Sequence, residues 1–260
     1  MIKLIKLDPV LNVTDNTHIM SDNTSKKNSY EKASSWEIFD KIYQRYDKIN
    51  TILSAGILRF WRKKLVSLFP VSQDMKALDC ATGTGEVMFS VMNRYHQSID
   101  RYIGLDLSKN MMAIGDKRRE DYEYSQKIEF VHGSGTQIPY EDQLFDCVTM
   151  AFGIRNIVNF QECLSELYRV LKTNGTVMIM EFSLPKNSVI KGAYLLYFRW
   201  VLPFIGGLLS GDRDAYSYLN KTVESFPYGG AFKKELEHVG FSVSMTPLSF
   251  GIATLYIGKK

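Results

Sequence analysis

Between residues 76 and 183 short apolar runs alternate with segments of helical periodicity, and this alternation restricts the fold more than any other feature of the chain. The runs are KALDC (76–80), YIGLDL (102–107), IEFVHG (128–133), FDCVTMAFG (145–153) and TVMIMEFS (176–183). Segments 84–95, 108–120 and 160–172 between them are long enough for crossover helices. A parallel strand pair needs a crossover, and a crossover helix covers the sheet face it passes, so the pattern predicts an α/β fold with a parallel sheet buried on both sides. Two late apolar runs, 241–248 and 251–257, are separated by little more than Gly251 and read as an antiparallel hairpin closing one edge.

Residues 1–33 are polar and lack the uninterrupted apolar core of a secretory signal, so they read as a disordered tail. From Trp36 to Phe69 apolar residues recur at helical spacing up to Pro70, which predicts an N-terminal helical lid over 34–70. An aromatic stripe of this kind serves equally well as core. The methyl-rich and aromatic stretch 189–219 departs from the α/β pattern; Lys191, Arg199, Pro203, Gly206 and Gly207 interrupt it short of the ~20 residues of a membrane span. It is expected to form a cap, inserted at about 186–225 into a domain covering 71–260.

With 45% hydrophobic and 23% charged residues, intrinsic disorder is excluded for most of the chain. The net charge of +4 is scattered rather than gathered in a stripe, which argues against nucleic acid and is compatible with an anionic membrane surface. Cys80, Cys147 and Cys163 form no CxxC, and no metal-ligand spacing occurs; core thiols in a reducing cytoplasm fit.

ALDCATGTGEV runs from a strand through Gly83 and Gly85 into a helix, the kind of turn on which nucleotide-type cofactors sit, although many such turns are only turns. The next strand ends in Asp106, 21 residues after Gly85, where a carboxylate receives ribose hydroxyls in this architecture. Met88 occupies the place of the third glycine of a dinucleotide fingerprint, and Glu86 in the first helical turn would repel a phosphate. A cofactor with ribose and adenine but no phosphate, its cationic amino-acid end near Asp79, fits better: S-adenosyl-L-methionine. Helix capping is the plainer use for Asp79 and Glu86.

TMAFGIRNI (149–157) poses a separate question, because it places Arg155 and Asn156 just past the C-terminal end of an apolar strand. In doubly wound sheets that edge is where ligands bind, but an arginine there can also simply pair with a carboxylate.

LDCATGTGEV, GLDLSKNMM, FGIRNI, LYRVLKTNGTVMIMEFSLP and YDKINTILSAGILRFWRK together resemble the class I S-adenosylmethionine-dependent methyltransferases, and specifically the menaquinone and ubiquinone biosynthesis C-methyltransferases. FGIRNI, EFSLP and SGDRDAYSYL carry most of that specificity. The resemblance implies a Rossmann-like, seven-stranded, mostly parallel sheet, with the cofactor at Asp79, Ala81, Gly83, Gly85, Met88, Asp106, Leu107, Ser134, Gly135 and Ala151. Ser134 stands where the family usually has Asp or Asn, a weaker partner for adenine; Thr173 and Asn174 replace Pro-Gly, and Arg59 stands where His is frequent.

The resemblance further implies methylation of a polyprenyl hydroquinone, most directly demethylmenaquinol. Electron density at the accepting carbon requires loss of a phenolic proton, so Arg155 is expected to stabilise the phenolate and Asn156 to orient the ring oxygen or a water. Tyr46, Asp212, Arg213, Tyr216 and Tyr218 are carried over as quinol contacts, and His132 is a candidate proton relay whose plainer use is structural. A peripheral position on the inner face of the membrane, and a homodimer or a quinone-biosynthesis complex, fit the same reading. The alternatives are a benzoquinol acceptor of ubiquinone synthesis and, from another class, a catalytically inactive scaffold that kept the fold.

Overall fold

The computed structural model describes Glu37, Tyr43 and residues 46–54, 56–205 and 222–260. Its centre is a seven-stranded sheet built from β1 (Met75–Cys80), β2 (Ile99–Asp106), β3 (Ile128–His132), β4 (Phe145–Ala151), β5 (Leu171–Phe182), β6 (Ser242–Leu248) and β7 (Ala253–Lys259). The order is β3-β2-β1-β4-β5-β7-β6. Pairs from β3 to β5 are parallel, whereas β7 runs antiparallel to both β5 and β6. The expected hairpin is therefore present, with its second strand inserted against β5 and its first at the edge.

Alternation along the central strands divides the core. Ala77, Cys147, Met178 and Met180 face one side, where Trp61 and Leu65 of α2 (Ile57–Ser67) and Met88 and Met92 of α3 (Glu86–Tyr95) cover them. Leu78, Val148, Val177 and Ile179 face the other, beneath Leu164 and Leu167 of α5 (Phe160–Val170) and Phe232 and Leu236 of α7 (Gly230–Val239). Between α3 and α5 lies α4 (Lys109–Arg119), capped by Ser108, whose hydroxyl accepts from the Met111 N–H. All three cysteines are buried and free.

Boundaries follow local backbone geometry. The helix expected from residue 84 begins at Glu86 because Gly85 takes a left-handed φ of 80°. The helix expected to reach 172 stops at Val170, where Leu171 turns extended and enters β5. Asn174 takes a φ of 64°, the conformation that asparagine tolerates where glycine is absent.

The N-terminal region divides. α1 (Tyr46–Leu53) borders the open end of the sheet, but α2 belongs to the main core through Trp61, Leu65 and Val66, joined by Phe69 just past its end. In the cap, α6 (Ser188–Leu196) continues as a π-helical turn, Tyr197–Val201, and stays helical to residue 205. Pro203 thus does not break the helix. The wider turn just ahead of it accommodates the missing N–H and the ring. Tyr194, Phe198 and Leu202 bury the inner face of the cap with Ile49, Leu184 and Val223, and the Tyr197 hydroxyl donates to the Leu53 carbonyl at 2.6 Å.

Candidate active site

The chain leaves β1 toward β2 and β3 on one side and later places β4 and β5 on the other, so the connections that follow β1 and β4 lead away in opposite directions. Such a switch point opens a crevice. A cavity of about 920 Å³ lies there, lined by the β1 turn, the end of β2, the turn after β3, the end of β4 and part of α1 and α2.

Asp79 forms the floor. It is buried and accepts from Thr149 Oγ1 at 2.5 Å, from Thr82 Oγ1 at 2.7 Å and from the Met88 N–H. Burial pushes its pKa up to about 6 against those hydrogen bonds, and Asp106 adds to the rise. The Thr149 hydroxyl also bonds Tyr102 at 2.8 Å, so this carboxylate sits in a closed polar network inside an apolar sheet. Thr149, the polar residue within the FDCVTMA strand, was the available signal for that network.

Asp106 ends β2 at the cavity wall. Its Oδ2 accepts the Gly83 N–H at 2.7 Å and its Oδ1 the Ser108 N–H at 2.8 Å, tying the glycine turn to the next strand. Burial raises its pKa too. With the Leu107 N–H as a third donor, the carboxylate keeps a lone pair for a ligand hydroxyl. Ser134 and Gly135 line the cavity beyond it; the Ser134 hydroxyl bonds Thr136 Oγ1 at 2.8 Å and accepts the Thr136 N–H at 3.2 Å.

The strand ends are held in uncommon conformations. Ala81 (φ 56°) follows β1 and Phe152 (φ 58°) follows β4, both non-glycine residues in the left-handed region, where each costs about 1–3 kcal/mol. A Cβ on Gly153 would lie 2.5 Å from the Ala81 Cβ, so the two turns touch backbone to backbone. Both face the cavity.

Of the residues expected at the cofactor, Asp79, Ala81, Gly83, Asp106, Leu107, Ser134, Gly135 and Ala151 line this cavity. Met88 does not: its side chain is fully buried in the core, and its contribution is the backbone N–H given to Asp79. Gly85 serves packing instead, since a Cβ there would meet Phe89 at 2.9 Å and Phe130 at 3.0 Å.

The expected role of Arg155 needs correction. Its side chain points away from the cavity into the protein, buried against Glu181, with Nη1 donating to Glu181 Oε1 at 2.8 Å and to the Phe152 carbonyl at 2.6 Å. Its guanidinium lies over the Phe182 ring at 5.3 Å. A cation already paired inside the core is a brace for the Phe152 turn, and it is Asn156 that lines the cavity. Asn156 Nδ2 donates to the same Phe152 carbonyl at 3.3 Å.

Glu86 also reads differently in place. Arg62 of α2 and Arg118 of α4 both form ion pairs with it at the cavity wall, and Arg59 lines the same wall. Two guanidiniums on one carboxylate leave this wall cationic, so repulsion of a phosphate by Glu86 is not the feature that selects the cofactor. The wall suits a carboxylate. His132 is exposed at the end of β3 and is not among the residues lining the cavity. Asp212, Arg213, Tyr216 and Tyr218 lie outside the described residues, as does the side chain of Tyr46.

These groups fit S-adenosyl-L-methionine. A deep carboxylate with hydrogen-bonded hydroxyls and, among the described residues, no cation bonded to it offers a place for an ammonium, the cationic wall one for a carboxylate, and Asp106 one for a ribose diol.

Comparison with known proteins agrees. Residues 25–260 match the model of the ubiE/COQ5 methyltransferase family. Over 225 residues the chain is 39% identical to a demethylmenaquinone methyltransferase of Bacteroides fragilis, covering 86% of this chain and 91% of that one. It is 41% identical over 225 residues to the ubiquinone/menaquinone biosynthesis C-methyltransferase UbiE of Geotalea daltonii, covering 86% and 95%. The demethylmenaquinone methyltransferase of Thermus thermophilus is 37% identical over 223 residues, 86% of this chain and the whole of that one.

Among solved structures, a Thermotoga maritima S-adenosylmethionine-dependent methyltransferase described as a possible histamine N-methyltransferase superposes with a TM-score of 0.61 at 17% identity, covering 87% and 99%. The [4+2]-cyclase SpnF gives 0.63 at 13% identity, covering 86% and 94%. Those two likenesses concern fold alone, and the cyclase illustrates that this fold does not dictate its chemistry.

Proposed function

Because the chain belongs to the ubiE/COQ5 methyltransferase family, an S-adenosylmethionine-dependent C-methyltransferase family of menaquinone and ubiquinone biosynthesis, we propose that its acceptor is demethylmenaquinol carrying a polyprenyl tail. The observation that carries this reading is the division of the cavity. Its floor and one wall are polar, at Asp79, Asp106 and Glu86, while Ile52, Leu58, Phe152, Ile157 and Met180 give it an apolar side. An amphiphilic cofactor and a greasy aromatic ring fit such a pair of surfaces.

S-adenosyl-L-methionine, when bound, supplies an electrophilic methyl group on a sulfonium. Asp79 would hold its ammonium, Asp106 its ribose hydroxyls and the turn at Ser134–Gly135 its adenine. The rest of the work is positioning. Ala81, Phe152 and Gly153 set the two strand ends against each other, and the Arg155–Glu181 pair keeps the Phe152 turn from relaxing. Asn156 orients the quinol hydroxyl, or the water that takes its proton, as the ring carbon becomes nucleophilic. No covalent intermediate with the protein is needed.

Relatives named for both quinones match at similar identity, so a benzoquinol is the second reading. A side-by-side comparison of the two reduced quinols, matched in tail length, with label in the transferred methyl, decides between them. Transfer to the naphthoquinol alone or in strong preference supports the proposal; preference for the benzoquinol replaces it.

A further inference from the structure

Three segments that meet around Phe182 leave large apolar side chains outside the protein. The Trp61 ring of α2 and the Phe198 ring of the cap lie 6.1 and 5.9 Å from the Phe182 ring, and Trp61 Nε1 donates to Ser249 in the β6–β7 turn at 2.8 Å. A Cβ on Gly251 in that turn would lie 3.6 Å from Pro185, just ahead of the cap helix. From these segments Phe60, Val189, Leu196, Trp200 and Phe250 are exposed, Trp200 by 72% and Phe250 by 81%.

Neither the cap nor the turn is arranged as a fold alone would need. Tyr194, Phe198 and Leu202, four residues apart, face inward; Leu196 and Trp200 fall between them and face outward. Phe250 is held in a left-handed conformation (φ 60°, ψ 19°) at the tip of the turn with its ring in solvent. The backbone shape closes the β6–β7 hairpin, but that shape does not call for an aromatic side chain in solvent at a left-handed position.

The charge on these segments is one-sided. Residues 57–67, 185–205 and 243–252 contain no Asp or Glu but carry Arg59, Lys63, Lys64, Lys186 and Lys191, together with Arg62 and Arg199, which pair with Glu86 and Glu224 from elsewhere. No helix among the described residues is long and apolar enough to cross a membrane. Exposed aromatics set among cations are the composition of a surface that lies in a lipid interface.

We propose that this face, formed by α2, the cap helix and the β6–β7 turn, docks on an anionic bilayer, with Trp200 and Phe250 entering the interface. It adjoins the cavity: Leu58, Arg59 and Arg62 of α2 line that cavity as well. The placement deepens the proposed function, because an acceptor with a prenyl tail could enter from the lipid without its tail crossing water.

The test is co-sedimentation of the full chain with vesicles of phosphatidylcholine containing phosphatidylglycerol and with vesicles of phosphatidylcholine alone, scored as binding and not as turnover. Wild type should partition onto the anionic vesicles, lose binding in high salt, and be weakened about tenfold or more by Trp200→Ser and by Phe250→Ser. Lipids brominated on their acyl chains should quench wild-type tryptophan fluorescence. Trp200→Phe should abolish most of that quenching while still partitioning. Wild type that stays in the supernatant, partitions equally onto neutral vesicles, or is unaffected by both serine substitutions overturns the proposal. Vesicle binding that persists in a protein unable to methylate any quinol would discard the quinol reading and leave the docking face standing.

Discussion

Arg155 Nη1 lies 2.8 Å from Glu181 Oε1, with both side chains buried, and the same nitrogen donates to the Phe152 carbonyl at 2.6 Å. Glu181 is the penultimate residue of β5 and Phe152 follows β4, so one guanidinium clamps two strand ends at the mouth of the cavity. Breaking a buried pair by removing one partner leaves an uncompensated charge, at a cost of about 3–5 kcal/mol. Arg155→Ala should therefore lose both stability and turnover. Arg155→Met combined with Glu181→Leu should recover most of the stability, measured by chemical denaturation, and still turn over poorly because Phe152 has lost its strongest donor. Full turnover in the double variant would remove the clamp from the account.

Asp79 makes apo stability depend on pH in a definite direction. Its folded pKa, about 6, exceeds its unfolded value of 3.8, so the folded protein holds the proton more tightly. Its contribution is greatest below about pH 4, falls as the pH rises to about 6 and is flat above. The difference amounts to about 3 kcal/mol at most. Asp79→Asn should remove that slope and leave the ligand-free protein at least as stable as wild type at pH 7, while cofactor affinity collapses. Denaturation from pH 4 to pH 7 checks the slope.

The same carboxylate should couple cofactor binding to proton release. An ammonium beside Asp79 favours the charged form, so near pH 6 binding expels a proton and affinity strengthens as the pH is raised toward 7. Calorimetric titration of S-adenosylmethionine in two buffers of different ionisation enthalpy would read the proton directly. Identical heats in both buffers at pH 6 would place the ammonium elsewhere.

Asn156 is the side chain of the IRN turn that reaches the cavity. Asn156→Ala should lower turnover about 100-fold, as loss of one well-placed polar group does, with cofactor affinity nearly unchanged. A fall in affinity matching the fall in turnover would reassign it to the cofactor.

Gly153 marks the contact between the two strained turns. Gly153→Ala would drive a Cβ to 2.5 Å from that of Ala81 and should cost about 1–3 kcal/mol while weakening cofactor binding. Unchanged stability and affinity would mean that the strand ends tolerate separation.

The sheet was legible in the chain because strands buried on both faces read as apolar runs, and the glycine turn was legible because the left-handed backbone at Gly83 and Gly85 demands glycine, with Asp106 at the end of the next strand accepting the Gly83 N–H. What a run of letters does not carry is the direction of a side chain past the end of a strand. Arg155 and Asn156 are neighbours in FGIRNI, yet a short 3₁₀ turn over Ile154–Asn156 sends one inward to Glu181 and the other to the cavity. Glu181 itself lies in an apolar run 26 residues away, and nothing local announces the pairing. Met88 was misplaced for a similar reason: helix periodicity puts it under the turn rather than over it. Arg62, Arg118 and Glu86 come together from three helices, a junction visible only once the helices are packed.

Quinol methylation is tested most directly by incubating the purified chain with labelled S-adenosylmethionine and chemically reduced demethylmenaquinol, with cofactor binding measured on the same preparation. The account predicts binding and labelled menaquinol, with the label on the ring carbon. Binding without transfer to this quinol or to its benzoquinol counterpart would contradict the assignment of the acceptor, and absence of binding would contradict the site.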